Sequence, residues 1–372
     1  MRLGIDASTL DQLEKYDPHF YYEGKEIEPL SFLHEHNGIG LLRLRLWLDP
    51  YDEQGVPYGA GTNDFDCFLR LAKRGNAAGY KILLDFHYSD FWVDPAKQTM
   101  PKAWRGKTLE EVVDALYEYT RDTLLRVKAE GIDLAGIQVG NEITHGMCWP
   151  LGKLSYDADN RKITKFENLA LLLKAGIKAC KEVFPDVKTV IHLEHSCSVE
   201  MQEQWFRSII DLGVEFDVIG ESYYSYWHGS LEDLGKNLDN LHEKFGKELW
   251  IVELGYAYEA ARRGKDNAEG LGNLIDENFR KTHPLENAPY PFTQQGQYDF
   301  LRNLIQVCLD HHVAQMYYWE PLWLSRPNCG WADLPGQAYI GESGDPQTNE
   351  WANETLFDAQ GNATLGLEAY KL

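Results

Sequence analysis

Two glutamates carry the chemistry from which the sequence is best read. Glu142 closes Gln138-Val-Gly-Asn141-Glu142 and Glu253 closes Leu249-Trp-Ile-Val252-Glu253, so each ends a short apolar run of the kind that forms a buried strand. A carboxylic acid that protonates a leaving oxygen, paired with a carboxylate that attacks the anomeric carbon, is the equipment of double-displacement glycoside hydrolysis. The two groups must then stand about 5–5.5 Å apart. In this reading Glu142 is acid and then base, Asn141 beside it holds the sugar 2-hydroxyl, and Glu253 is the nucleophile. Arg45 and Tyr224 are expected to keep Glu253 ionised, one by charge and one by a hydrogen bond, which separates the two pKa values and hence the two roles. Trp319 offers a flat floor for a sugar ring.

Each assignment has a plainer rival. Either glutamate is alternatively a satisfied acid at a strand end. His87, His192 and His195 follow different apolar runs; they suit a metal ion, but more often such histidines bind substrate polar groups or steady their neighbours. Asp85 is as readily a buried hydrogen-bonding acid as a catalyst.

The elements that position these residues are legible as alternation. Eight apolar runs, Leu3 to Asp6, Leu41 to Leu46, Lys81 to Phe86, Leu134 to Val139, Thr189 to Leu193, Phe216 to Gly220, Leu249 to Glu253 and Gln315 to Trp319, read as strands. Between them, Asp64 to Ala78, Leu109 to Glu130, Phe166 to Val183, Ser230 to Phe245 and Tyr298 to Asp310 repeat apolar residues at helical spacing. Strand and helix in strict alternation predict an α/β fold, and eight units close most simply into one (β/α)8 barrel spanning residues 1–372. Ala260 to Pro291 and Pro321 to Thr355, rich in Gly, Asn, Pro and acids, are then extended loops after the seventh and eighth strands. On this fold catalytic groups come from the C-terminal ends of strands.

Composition narrows the partners. With 58 acidic against 36 basic residues the formal charge is -22, a field that repels phosphate backbones and anionic membrane surfaces. Neither nucleic acid nor a membrane is expected as a partner, and no apolar run is long enough to span a bilayer. The six cysteines show no metal-ligand spacing and read as reduced packing residues. The chain starts directly on its first strand, which leads to the expectation of a cytoplasmic protein, or of a secreted one whose leader has been removed. Nothing in the sequence fixes an oligomeric state.

Several motifs together resemble glycoside hydrolase family 53, the arabinogalactan endo-β-1,4-galactanases of the retaining (β/α)8 clan, over almost the whole chain. They are Gly4-Ile-Asp6-Ala-Ser8; Leu84 to Gln98, closing at Pro101-Lys-Ala-Trp104; Gln138 to Ile143, with Gly146 and Trp149-Pro-Leu-Gly152; Ser222 to Gly229; and Tyr318-Trp-Glu-Pro-Leu-Trp323. The resemblance implies a substrate of β-1,4-galactan or galacto-oligosaccharides, cut with retention and without a required cofactor. Trp92, Trp227, Trp319 and Trp323 then offer stacking surfaces, His87, Asp90 and Lys97 are polar groups able to read hydroxyl stereochemistry, and His192 is a further substrate-binding candidate.

Three departures from the family stand out. Leu254-Gly255-Tyr256 follows Glu253 where a hydroxyl residue is usual. The stretch Trp323 to Trp351 also differs. The loop that holds structural calcium in bacterial members here offers Asp266, Asn267, Glu269 and Asn273, with Leu271 where a histidine ligand is expected. A same-clan hydrolase of mannan, xylan or β-glucan would keep both glutamates, and a non-catalytic carbohydrate-binding barrel is a further alternative.

Overall fold

The computed structural model describes residues 1–159, 162–260, 290–341 and 349–371. Its centre is a closed barrel of eight parallel strands, β1 (Arg2–Asp6), β2 (Leu41–Leu46), β3 (Lys81–Phe86), β4 (Leu134–Val139), β5 (Lys188–Leu193), β6 (Val218–Tyr223), β7 (Glu248–Leu254) and β8 (Val313–Tyr318). Each strand pairs with its sequence neighbours, and β1 pairs with both β2 and β8, which closes the ring. This is the expected (β/α)8 architecture. The helices α1 (Pro29–Asn37), α2 (Phe65–Ala77), α3 (Leu109–Ala129), α4 (Glu167–Val183), α5 (Val199–Asp211), α6 (Leu231–Phe245) and α7 (Gln294–Asp310) cross from one strand to the next. A short 3-10 turn, Leu365–Tyr370, packs against α7 after the last strand.

Local signals set the helix boundaries. Glu28 accepts hydrogen bonds from the N–H groups of Leu30 and Ser31 ahead of α1, and Thr108 with Glu111 forms a reciprocal capping box at the start of α3. In α2 the buried residues Cys67, Phe68, Leu71, Ala72 and Gly75 share one face at helical spacing, which seats the helix on the barrel.

Inside the ring the strands alternate between two kinds of layer. Leu41, Leu83, Val190, Val218, Trp250, Val252 and Tyr317 form an apolar plug of their own, separate from the outer core. The two large rings need room. A Cβ on Gly4 would lie 2.6 Å from the Tyr317 ring, and one on Gly136 would lie 2.9 Å from Trp250. Two residues further along the strands come Arg43, Asp85, Gln138 and His192, all buried and polar. The catalytic end of the barrel is thus built on a polar layer resting on an apolar floor.

The cysteines are unpaired, five of them buried, as expected for packing residues. Asp266, Asn267, Glu269 and Asn273 of the calcium expectation lie outside the described residues. Among those described, no helix is long and apolar enough to cross a membrane.

Candidate active site

A cleft opens at the C-terminal ends of the strands, and Glu142 and Glu253 both line it. They enter from β4 and β7, across the ring. Glu142 sits just past β4 with φ at 47°, a left-handed conformation that costs a residue with a Cβ about 1–3 kcal/mol and aims the side chain away from the strand path. Its Oε1 accepts a hydrogen bond from Ser222 Oγ at 2.6 Å. His192 Nε2 lies 2.8 Å from the same hydroxyl, while Gln138 Nε2 and the Glu142 N–H point at its Nδ1. The Ser222 hydroxyl thus stands between His192 Nε2 and Glu142 Oε1, and Asn141 Oδ1 lies 3.0 Å from the His192 Nδ1. Burial first, and then the negative fields of Glu253 and Glu194, push the Glu142 carboxyl well above the ordinary range.

Glu253 is buried, with Arg43 Nη2 at 2.9 Å from Oε1 and Tyr224 OH donating to Oε2 at 3.2 Å. Burial raises its pKa to about 7 against the pull of the Arg43 guanidinium. The two carboxyls therefore differ in kind: one is held neutral by burial and like charge, and the other carries a guanidinium partner that favours the anion.

Arg43, and not Arg45, is the cation beside Glu253. Its guanidinium also reaches Asp6 and Asp85 at 2.8 Å each and donates to Asn141 Oδ1 at 2.8 Å, tying β1, β3, β4 and β7 together. Arg45 instead pairs with Glu320 at 2.6 Å, donates to the Ala60 carbonyl at 3.1 Å and lies 4.2 Å over the Trp92 ring, so it braces the cleft wall. Both arginines face inward because they are two residues apart on one strand, and only the height of Glu253 in the barrel chooses between them. An Arg43→Met protein leaves three buried carboxylates without their cation and is expected to lose about 3–5 kcal/mol of unfolding free energy, read from denaturant midpoints. A loss below about 1 kcal/mol would show that the carboxylates re-pair or neutralise.

The remaining expectations divide. His87, Trp92, Lys97, Asn141, Tyr224, Trp227 and Trp319 line the cleft with the two glutamates. Three others do not. His192 lies behind Glu142 in the network just described. Asp90 is buried, accepting from the Lys102 N–H at 2.6 Å and from Tyr339 OH at 3.2 Å, so it fixes loop structure. Trp323 is 1% exposed and donates from Nε1 to the Cys329 carbonyl, backing Trp319 from below where no sugar could stack.

The aromatic wall is supplied instead by Trp92, Trp319, Trp351 and Trp227, whose neighbouring rings stand 6.0 to 6.3 Å apart, with Trp331 beside them in the lining. Trp331 and Trp351 come from the irregular region after β8, where no periodicity marks which way a ring faces. Asp85 is a buried hub, accepting from Arg43, Gln138 and His87, which supports its reading as a structural acid. The histidines His87, His192 and His195 are not gathered: His87 bonds Asp85 and Trp47, His192 bonds Ser222, and His195 lies beside Glu194.

Comparison with known proteins places this geometry among relatives. The family model described as glycosyl hydrolase family 53 matches residues 2–370. An uncharacterized protein in the bgaB 5′ region of Niallia circulans is 34% identical over 99% of this chain and 93% of its own length. The endo-β-1,4-galactanase of Bacillus subtilis is 29% identical over 99% of this chain and 85% of its own length. Among solved structures, the Ignisphaera aggregans GH53 catalytic domain superposes with a TM-score of 0.86 at 33% identity, covering 99% of this chain and 95% of that one.

Proposed function

The chain belongs to glycosyl hydrolase family 53, and from that premise we propose that it cleaves β-1,4-galactosidic linkages in galactan or arabinogalactan, or in galacto-oligosaccharides derived from them, by double displacement. The chain is a glycosidase. The observation that carries the assignment of roles is the pair of carboxyls from β4 and β7 in one cleft with opposite environments, Glu253 against a guanidinium and Glu142 half-buried and away from one.

In the first step the Glu253 carboxylate attacks the anomeric carbon, the bond to the leaving oxygen breaks, and Glu142 gives that oxygen its proton. The result is a glycosyl ester on Glu253. Esterification removes the charge of Glu253, which is one of the fields holding the Glu142 carboxyl up. Glu142, now ionised, becomes more acidic in its conjugate form and takes a proton from the water that attacks the same carbon, which frees Glu253. Carboxyl chemistry supplies both steps without a cofactor. The tryptophan wall gives a pyranose its stacking surface, and His87, Lys97 and Asn141 are the polar groups at hand to read hydroxyls.

Product analysis tests the substrate. After short incubation, linear β-1,4-galactan should give mixed galacto-oligosaccharides. Action on defined short oligosaccharides alone would assign an oligosaccharide-trimming enzyme, and inertness on both alongside cleavage of mannan, xylan or a β-glucan would remove galactan as the substrate.

A further inference from the structure

Glu194 and His195 close β5 and line the same cleft, and His145 comes from the loop after β4. One donor atom from each of the three lies within 4.8 Å of the others. A tetrahedral ion with bonds of about 2.0–2.1 Å needs donors about 3.3 Å apart. His195 Nε2 and Glu194 Oε1 already stand at 3.4 Å. That oxygen is buried and accepts no hydrogen bond, whereas its partner Oε2 is fixed by Thr144 Oγ1 at 2.8 Å. A buried carboxylate with one oxygen anchored and the other bare, facing an imidazole nitrogen, is oriented as metal ligands are oriented by their supporting shell.

Charge points the same way. Glu221 is also fully buried nearby, joined to Glu194 through Gln202, whose Nε2 reaches the Glu194 carbonyl at 2.7 Å and Glu221 Oε2 at 2.9 Å. Its Oε1 is bare as well. The guanidiniums of Arg43 and Arg45 are committed to Asp6, Asp85, Glu253 and Glu320. Neither of these two buried carboxyls has a lysine or arginine partner among the described residues.

We infer that His145, Glu194 and His195 bind a divalent transition-metal ion of the zinc class in the wall of the cleft. Two imidazoles and one carboxylate select such an ion over calcium or magnesium, which prefer all-oxygen sites. The remaining coordination position opens into the cleft, where a water or a sugar hydroxyl fills it.

Calorimetric titration of the whole protein with Zn2+, with Co2+ as a spectroscopic substitute, reads this directly and does not depend on any glycan substrate. The wild type should bind one Zn2+ per chain, unaffected by excess Ca2+, and Co2+ should give the visible bands of a four-coordinate site. His195 is 48% exposed, so His195→Ala leaves the core intact, and Glu194→Gln keeps the volume of the buried side chain. The inference holds if each variant weakens Zn2+ binding by at least about tenfold while its circular dichroism matches the wild type. No saturable binding in the wild type, or unchanged affinity in either folded variant, overturns it.

Discussion

Replacing Glu253 with alanine is expected to lower kcat by about 10^4-fold or more, because nothing else in the cleft can hold the sugar covalently. Arg43 and Tyr224 would then face a space the size of the lost carboxylate, lined by a guanidinium at its base. A small anion fits such a space. Azide should therefore restore part of the turnover of an activated β-galactoside, and since it attacks from the vacated side the product should be the α-galactosyl azide, inverted relative to substrate. Recovery with retained configuration would place the attacking group on the other face and remove Glu253 from the nucleophile role.

The second large effect belongs to Glu142→Ala, and its signature is selectivity. Substrates with poor leaving groups, such as the sugar chains themselves, should lose about 10^2- to 10^4-fold, since protonation of the leaving oxygen is lost. An aryl galactoside with an acidic phenol needs little protonation and should still form the glycosyl ester, which then accumulates for want of a base. Azide should release it with retained configuration. Equal losses on both classes of substrate would move the acid elsewhere.

The pH profile of kcat/KM gives an independent check of both roles. Glu253 must be ionised, so activity falls as the pH drops through its raised pKa of about 7. Glu142 must be protonated, so activity falls again as the pH rises through its own raised range. The Glu142→Ala protein should keep the acidic limb on the activated substrate and lose the alkaline one.

The sequence makes the barrel legible because strand and helix periods alternate without interruption, and all eight strands begin within two residues of the expected start. The sixth runs Val218–Tyr223 where Phe216 to Gly220 was expected. Its apolar run stops at Gly220, but the strand continues through Glu221 and Ser222 because the layer it enters is polar. Two helices were not anticipated. In α5 the buried Gln202 breaks the apolar pattern, and α1 is only nine residues long.

At the site, the two glutamates stand out because they terminate apolar strands. The identity of the guanidinium beside Glu253 does not, since Arg43 and Arg45 share a face and differ only in depth. Ser222, which touches Glu142, carries no signal beyond its place in a strand-end motif. Trp323 was expected to face sugar and Trp351 was not singled out, and in loops without periodicity residue type alone cannot tell an inward ring from an outward one.

The plug of Trp250 and Tyr317 has a consequence for traffic. With two rings packed across the axis beneath the polar layer, the barrel is a cup and not a pipe. Whatever is cut must depart through the mouth by which it came, so a fragment still lying along the tryptophan wall stands in the way of the next chain. Stronger stacking along that wall would tighten the grip on product as well as on substrate.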